Sequence, residues 1–399
     1  MRNKLYELLS IKDKDDLRIV AKKLGIRVPK LRSYAKNMLI PDGEDARKIQ
    51  DYLGISELVY RLKLEDLSYN LKEKLAQHAD EIAKILEKDE SQKAIVSEGK
   101  EPIFKTNLGE LYHDDSIQVM KGMEDESVDM VFADPPFNLG KKYESEIDDS
   151  LSKETYLNWT EEWVSEAIRI LKPGGSMFIW NLPRWNVHIA NMMEGHLTMR
   201  HWIAVNMKYG LTISGKLYPA HYALLYYVKG DKPNRFNAER IPLDVCHTCG
   251  HELKDYGGYK DKMNPKGVNL SDVWEDIYPV RHSKYKNRGS NELPLKLLDR
   301  IVSISTNPGD VVFDLFGGSG TTYAVAETLK RKWIGSEIGP VDQIIDRLSH
   351  LEMEGSQIDE IHNKKNHLFL PEIEARRRKN GYWLPEDFKR TDTKQKTLF

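Results

Sequence analysis

The sequence predicts an α/β protein with a largely parallel sheet and helices on both faces, preceded by a small all-helical module. Strand and helix patterns alternate from residue 101 to residue 345, which is the arrangement that builds layered α/β domains. Two short apolar runs there, at 128–133 and ending at Phe313, each stop at a polar loop, as buried parallel strands do. Residues 1–66 instead show the periodicity of amphipathic helices.

Residues 1–66 are expected to form a helix-turn-helix-like module. An amphipathic helix over 17–24 ends at Gly25, and a second helix begins within 31–34. In helix-turn-helix proteins the second helix enters the major groove of DNA. Such helical hairpins also serve as dimerisation units, and both alternatives stay open. Residues 67–100 carry a charged helical pattern and are expected to be a connector.

The strand predicted at 128–133 leads into a loop that reads Asp134-Pro135-Pro136-Phe137. Two prolines fix φ and remove two backbone donors, so the loop offers carbonyl oxygens and one carboxylate. These acceptors suit an amino group such as the exocyclic amine of a nucleobase. Asp134 would accept one proton and the carbonyl of Pro135 the other, while Phe137 would stack on the base. The simpler alternative is a turn capped by aspartate.

The middle of the chain continues the alternation and then interrupts it. A helix is predicted from Glu154 to Leu171, followed by strands at 177–181, 201–207 and 222–228. Residues 231–290 break the pattern and are rich in Gly, Asn, Lys and Tyr. A long irregular insertion in a compact domain is usually functional, so this segment is expected to recognise the substrate. Three tryptophans are expected in the core or a pocket wall: Trp159, Trp163 and Trp180.

Two features of the insertion have alternative interpretations. A basic cluster at 281–288, interleaved with tyrosine, is typical of a DNA-facing loop, although charge runs are more often merely solvated. Cys246 and Cys249 are the two cysteines of the chain, and no second Cys or His pair follows at zinc-finger spacing. Two reduced thiols in a loop are favoured over a zinc knuckle, and no metal is predicted. The DNA-binding candidates in the cluster are Arg281, Lys284, Lys286 and Arg288.

A second loop, rich in glycine, follows the strand that ends at Phe313-Asp314. Glycines let the backbone approach a ligand closely and permit positive φ. The loop is not a phosphate-binding P-loop because no lysine follows its last glycine. Glu337 closes the next strand, about 20 residues beyond the glycines, where an acidic side chain can accept hydrogen bonds from ribose hydroxyls. The pattern therefore favours an adenosine-containing cofactor without phosphate, although a tight strand-to-helix turn would also explain the glycines.

These motifs and their order resemble the amino-methylating DNA methyltransferases of the β class, which modify adenine N6 or cytosine N4. The resemblance runs from about Leu111 to Glu337 and implies a Rossmann-like sheet, S-adenosylmethionine as cofactor and double-stranded DNA as substrate. It also places Asp134 to Phe137 at the catalytic position, with Asp134 next to the cofactor. The cofactor-binding residues that it implies are Asp115, Asp134, Asn291, Asp314, Phe316, Gly317, Gly318, Ser319, Gly320, Thr321 and Glu337.

The chain departs from this family at two places. Leu315 stands where proline is usual, and the segment from Asn291 to Leu295 replaces a different common motif, which puts the role of Asn291 in doubt. Aspartate at position 134 favours adenine N6 as the methylated atom, because a carboxylate is the stronger acceptor for an amino group. Cytosine N4 is the alternative; an RNA or protein amide substrate, or a non-catalytic DNA-binding regulator, is less favoured.

Composition sets further expectations. The net charge is −2, so contacts to DNA phosphates need local basic clusters such as 281–288 and 376–379. The sequence lacks an apolar stretch of membrane-spanning length and a signal-peptide pattern, which predicts a cytoplasmic protein. Residues 346–399 are expected to be a polar, partly extended tail. Its end, Gln395 to Phe399, resembles the peptide by which bacterial proteins bind the replication sliding clamp, and a cognate restriction endonuclease is a second candidate partner.

Overall fold

A computed structural model describes residues 4–37, 39–86, 101–139, 151–206, 214–215, 217, 220–251, 263–278, 280 and 292–387. The chain divides into two compact units, one formed by 1–96 with 150–158 and the other by 97–149 with 159–399. Several predicted positions lie outside the described residues: Arg281, Lys284, Lys286, Arg288, Asn291 and the Gln395–Phe399 peptide.

The first unit contains only helices as regular secondary structure in its described residues. Its first five helices enclose an apolar core that includes Leu31 and Ile49, both fully buried. Two further helices occupy the described part of the expected connector at 67–100. The helices are α1 Lys4–Leu8, α2 Lys14–Leu24, α3 Val28–Asn37, α4 Gly43–Leu53, α5 Glu57–Lys63, α6 Tyr69–Gln77 and α7 Ala79–Leu86.

The second unit is built on a nine-stranded mixed sheet. The strand order is β1-β2-β11-β10-β3-β4-β6-β5-β9, in which β2, β11, β10, β3 and β4 are mutually parallel neighbours. The strands are β1 Phe104–Lys105, β2 Gly109–Tyr112, β3 Val128–Ala133, β4 Leu171–Asn181, β5 Thr198–Asn206, β6 His221–Val228, β7 Arg240–Ile241, β8 Val268–Asn269, β9 Val273–Trp274, β10 Val311–Asp314 and β11 Lys332–Ser336.

Helices cover both faces of this sheet, which confirms the predicted fold class. The strands alternate between two cores: Met130 and Phe132 of β3 enter one, whereas Val131 and Ala133 enter the other. This two-sided burial explains why the strand runs read as continuously apolar. The helices of this unit are α8 Ser116–Lys121, α9 Lys153–Ile170 (its first turns lie in the other unit), α10 Pro183–Met193, α11 Leu295–Ser305, α12 Thr321–Thr328, α13 Asp342–Ser349, α14 Glu352–Asn363 and α15 Pro371–Lys379.

The structure corrects the expected tail at 346–399, because its described part is helical and packed. Ile358 of α14 enters the core under the sheet, and Ile373 of α15 joins a small separate core with Leu243 and Val245 from the insertion. The sequence predicts a polar, partly extended tail here because apolar residues are few and widely spaced. Ile373 is nevertheless buried in a core that it shares with Leu243 and Val245, more than 100 positions earlier in the chain.

The second basic cluster, at 376–379, has one buried member, whereas its other three residues are exposed. Arg377 is fully buried, and its guanidinium lies 4.2 Å from the ring centre of Phe369 and 4.6 Å from that of Trp383. It donates to the carbonyl oxygen of Gly250 at 2.5 Å, in the turn that carries the two cysteines. This arginine therefore holds α15 against the insertion and is not available to DNA phosphates.

The described parts of the 231–290 insertion are tied to both the small core and the main sheet. β7 pairs with β8, while β9 adds to the edge of the main sheet beside β5.

Within the described residues, no group of three or more His, Cys, Asp or Glu is arranged to hold a metal. In the same part of the chain, no helix is both long and apolar enough to cross a bilayer.

Candidate active site

Parallel strands bring the two predicted loops to one edge of the sheet. Asp314, the last residue of β10, pairs in register with Phe132 of β3, two residues before Asp134. Gly335 of β11 pairs with Asp314 from the other side, and Glu337 follows directly after that strand. Three carboxylates from three neighbouring strands therefore follow one another along this edge, although Asp134 and Asp314 are 180 positions apart in the chain.

A cavity of about 360 Å³ opens at this edge. None of the described residues that line it is lysine, arginine or histidine, so its electrostatic potential favours a cationic ligand and disfavours a phosphate. Asp115 lines the cavity, and its carboxylate caps α8 by accepting the backbone N–H of Ile117 at 2.7 Å. Six carboxylates line the cavity: Asp114, Asp115, Asp134, Glu292, Asp314 and Glu337.

The glycine loop has both the conformation and the packing that demand glycine. Gly318 and Gly320 adopt positive φ values of 56° and 73°, in the left-handed region that side chains disfavour. A Cβ on Gly317 would lie 2.5 Å from the hydroxyl oxygen of Tyr323, whose ring is fully buried. The buried ring of Tyr323 therefore constrains the glycine loop on one side, and the loop backbone borders the cavity.

Asp314 and Glu337 hold the loop from two sides. The backbone N–H groups of Gly318 and Gly339 each donate to the Glu337 carboxylate at 2.6 Å. Asp314 accepts the N–H of Phe316 at 3.0 Å and is almost completely buried. Burial raises the pKa of Asp314 to about 7, against the opposing effect of hydrogen bonds from Thr322 and Phe316 and with a further rise from the charge of Glu337.

Asp134 lies beside an aromatic wall. Burial and, secondarily, the charge of Asp134 raise the pKa of Tyr222, and both residues line the cavity. The ring centre of Tyr222 is 5.7 Å from that of Phe137 and 4.8 Å from that of Trp180. The indole N–H of Trp185 donates to the carbonyl oxygen of Phe137 at 2.7 Å and fixes the end of the loop. A flat ring placed beside Asp134 would meet aromatic side chains, as a nucleobase requires.

Phe316 lines the cavity and packs against two of the predicted tryptophans. Its ring centre lies 5.7 Å from those of Trp159 and Trp163. Trp163 is fully buried, whereas Trp159 and Trp180 line the cavity. The three tryptophans are therefore core or pocket wall, as predicted.

The sequence did not reveal a buried ion cluster behind the glycine loop. Arg347 of α13 donates to the hydroxyl of Thr321 at 2.9 Å and to the carbonyl oxygen of Ser319 at 3.1 Å. It also pairs with two carboxylates, Glu292 at 3.2 Å and Glu354 at 2.9 Å. All three charged side chains are at most 6% exposed. Sequence reasoning does not find Arg347, because it lies in the segment that is expected to be a tail. The available signal was its position between Ile344 and Leu348 on the apolar side of an amphipathic helix.

The cavity wall also includes residues from the antiparallel half of the sheet and from the insertion. Tyr222 and Val205 come from β6 and β5, and Ile277 and Val280 come from the insertion just after β9. The insertion therefore reaches the cavity. The structure brings together most of the predicted site residues as lining of one cavity: Asp115, Asp134, Pro135, Pro136, Phe137, Asp314, Phe316, Gly317, Gly318, Ser319, Thr321 and Glu337, with Gly320 in the same loop.

Comparison with known proteins identifies the family of this chain. The sequence pattern of the N6/N4 DNA methylase family matches residues 128–344, more than half of the chain. This chain belongs to that family. The type II methyltransferase M.BamHI of Bacillus amyloliquefaciens is 49% identical over 374 residues, a match that covers 93% of this chain and 88% of the relative.

Two other comparisons are more distant. The DNA adenine methyltransferase YhdJ of Escherichia coli (strain K12) is 34% identical over 254 residues and covers 60% of this chain and 82% of its own length. Among solved structures, the PvuII DNA methyltransferase (cytosine-N4-specific) is 21% identical with a TM-score of 0.49, covering 67% of this chain and 95% of that one.

The chain is therefore an S-adenosylmethionine-dependent DNA methyltransferase of the amino-methylating class, as the resemblance implied. The residues of the cavity fit that cofactor. S-adenosylmethionine carries a positive sulfonium and no phosphate, which matches a wall with six carboxylates and no basic side chain among its described residues. The left-handed glycines keep the rim of the cavity free of side chains next to Asp314 and Glu337.

Proposed function

We propose that this DNA methylase takes one base out of the duplex and methylates its exocyclic amino nitrogen in the pocket beside Asp134. The observation that carries the proposal is the neighbouring position of the Asp134 and Asp314 loops at one edge of the sheet. Extrusion of the base is necessary because an amino group in a stacked pair is not accessible to a carboxylate that lines a cavity.

The residues around the pocket divide the chemistry between them. Asp134 and the carbonyl of Pro135 accept the two N–H bonds of the amino group, which draws the nitrogen lone pair out of conjugation and towards the cofactor. As the nitrogen becomes positively charged, these acceptors stabilise it. Phe137, Tyr222 and Trp180 hold the base by stacking and exclude water. S-adenosylmethionine supplies the electrophilic methyl group when it is bound, and Asp134 is placed to receive the proton that the nitrogen sheds.

The cofactor side of the cavity is assigned on the same basis. Glu337, just after β11, is proposed to bind the ribose. Asp115, which follows β2, is proposed to lie near the adenine. Asp314 and the loop from Phe316 to Thr321 are proposed to surround the methionine part. The Glu337 carboxylate already accepts two backbone N–H groups, so a ribose hydroxyl would use its remaining acceptor capacity.

We propose cytosine N4 as the first candidate for the methylated atom and adenine N6 as the second. M.BamHI is a cytosine N4 methylase, and its match spans 93% of this chain, which includes the insertion at 231–290. The aspartate at position 134 and the likeness to the adenine methyltransferase YhdJ favour adenine. The aspartate is the weaker argument, because the amines of both bases present the same two N–H donors to the loop.

One experiment distinguishes these candidates. Duplex DNA is incubated with the enzyme and radiolabelled S-adenosylmethionine, and the labelled nucleosides are separated. Label in 4-methylcytosine is the expected result, and label in 6-methyladenine would transfer the proposal to the second candidate. DNA that M.BamHI has already methylated tests the recognition sequence: if both enzymes share a site and a base, this DNA accepts no label. Absence of label in any DNA, with cofactor bound, would refute the proposal.

The remaining partners are proposals that rest on sequence. A cognate restriction endonuclease and the sliding clamp, bound through Gln395 to Phe399, would both act with the enzyme on DNA in the cytoplasm. Removing Thr397 to Phe399 tests the second partner, because unchanged affinity for the clamp would dismiss it.

A further inference from the structure

We infer that the first unit carries a second DNA-binding surface, formed by the basic hairpin of α2 and α3 and distinct from the catalytic cavity. The basic hairpin is defined here by five exposed residues: Lys22, Lys23, Arg27, Lys30 and Arg32. Its partner is the sugar-phosphate backbone of duplex DNA, with α3 lying in the major groove.

The local structure is that of two helices joined by a three-residue turn. Asp13 caps α2 by accepting the backbone N–H groups of Asp15 and Asp16 at 2.8 Å. Gly25 ends the helix in the left-handed conformation, with a φ of 63°, and α3 begins three residues later at Val28. A short glycine-containing turn of this length is characteristic of helix-turn-helix motifs. The second helix begins at Val28, before the start within 31–34 that the sequence indicated.

Apolar side chains on both helices fix which residues face outwards. Leu17, Val20, Ala21 and Leu24 of α2 are buried, and Leu31 of α3 is completely buried. The charged residues between them are consequently left on the outside. The major groove is wide enough to admit an α-helix. A helix that buries its apolar face in the protein can present its exposed polar face to the groove.

The charge of this region has one sign. Between residues 17 and 41 there are seven lysines and arginines and no acidic residue, in a chain whose net charge is −2. Lys30 forms an ion pair with Asp45 at 2.6 Å, yet its side chain is still 52% exposed. Arg27 and Arg32 are exposed and have no ion-pair partner among the described residues. Such a concentration of exposed cations is expected where a polyanion binds.

Duplex DNA fits this surface better than a protein partner does. Protein interfaces are depleted of lysine and carry an apolar centre, whereas phosphate binding needs cations on a rigid element. The first turn of α3 exposes Pro29 and Lys30, and the next exposes Arg32 and Ser33, so the exposed face is polar. A second phosphate-binding surface adds to the affinity of the catalytic unit, whose cavity itself has an acidic wall.

The test compares two pairs of substitutions in the full-length chain, each of which removes two positive charges. Arg27→Ala with Arg32→Ala alters the basic hairpin. Arg47→Ala with Lys63→Ala is the matched control, because both residues are exposed in the same unit but lie on α4 and α5. Binding to a duplex oligonucleotide is measured without cofactor over a range of salt concentrations.

The hairpin pair should reduce the slope of log affinity against log salt by about 2, because each lost phosphate contact removes about 0.9. The control pair should leave the slope unchanged, and Arg27→Lys with Arg32→Lys should retain most of it. Equal slopes for the hairpin and control pairs, with unchanged thermal unfolding, would overturn the proposal. An unchanged slope together with an altered oligomeric state would assign the surface to protein contact instead. Since no methyl transfer is measured, failure of the proposed reaction would not affect this result.

Discussion

The guanidinium of Arg347 donates a hydrogen bond to the hydroxyl of Thr321, 2.9 Å away, at the point where the glycine loop becomes a helix. This contact joins a late helix to the first residue of α12 and so determines where the loop ends. The same guanidinium neutralises Glu292 and Glu354, whose side chains are 2% and 6% exposed. The shape of the cofactor loop therefore depends on a residue that does not line the cavity.

Replacing Arg347 should destabilise the protein and weaken cofactor binding together. Arg347→Met leaves two buried carboxylates without their cation, which costs about 3–5 kcal/mol in the free energy of unfolding. Adding Glu354→Gln should recover part of this loss. Arg378→Met is the control, because its ion pairs with Glu374 and Glu386 are exposed to solvent and contribute little to stability. Denaturant unfolding checks both, and similar losses for Arg347 and Arg378 would contradict the role of the buried cluster.

Asp134 and Asp314 should separate catalysis from cofactor binding. Asp134→Ala is expected to lower kcat by about 10²-fold or more, because it removes an acceptor that stabilises the developing charge. Its affinity for S-adenosylmethionine should stay close to that of the unaltered enzyme. Asp314→Ala should abolish that affinity, because this carboxylate orders the loop through Phe316 and Thr322. Calorimetric titration with the cofactor distinguishes the two, and an equal loss of affinity in both variants would refute the division of roles.

Cofactor affinity should rise with pH through about 7. Burial holds the carboxyl of Asp314 protonated below its pKa of about 7, and a positively charged ligand favours the ionised form. Binding is therefore expected to release up to one proton near neutral pH and to tighten as pH increases. Titrations from pH 6 to about 8 check this. Asp314→Asn should remove the dependence, whereas the exposed Asp231→Asn should retain it.

The same group should affect stability in the cofactor-free protein. The pKa of Asp314 is higher in the folded chain than the ordinary value of 3.8, so its contribution to stability is fully present below pH 4. It is lost as pH rises to about 7, by an amount on the order of 4 kcal/mol at most. Relative to Asp314→Asn, the unaltered protein should become progressively less stable over that range in thermal unfolding. A constant difference across the range would contradict the raised pKa.

Gly317→Ala should distort the loop through Tyr323. The new Cβ would lie 2.5 Å from the tyrosine hydroxyl, which donates to the carbonyl oxygens of Asp314 and Ser336. Stability and cofactor affinity are both expected to fall, since a clash in a packed core typically costs about 1–3 kcal/mol. In a Tyr323→Phe background, where the hydroxyl is absent, the added cost of the alanine should be smaller. Equal costs in the two backgrounds would show that the hydroxyl does not set the spacing.

The two motif loops were predictable because each depends on local sequence. An apolar run that ends in Asp-Pro-Pro-Phe, and another that ends in Asp and glycines, are a strand and its following loop whatever surrounds them. Their meeting was also predictable, since parallel strands with buried faces end at one edge of a sheet. The partners of these loops were not. Tyr222 is the second residue of an antiparallel strand, and Arg347 lies on an amphipathic helix, so neither belongs to a motif that marks its contact with these loops.

By itself, the sequence determined the class of the fold, the order of the two loops and the class of reaction, because these follow from hydrophobic periodicity and from which residues can accept an amino group or leave room for a cofactor. Tertiary structure alone decided which charges are buried. Arg377 and Arg347 look like surface residues in sequence, yet one anchors the last helix to the insertion and the other supports the cofactor loop. Whether a charged side chain faces water depends on what packs over it, and those residues lie far away in the chain.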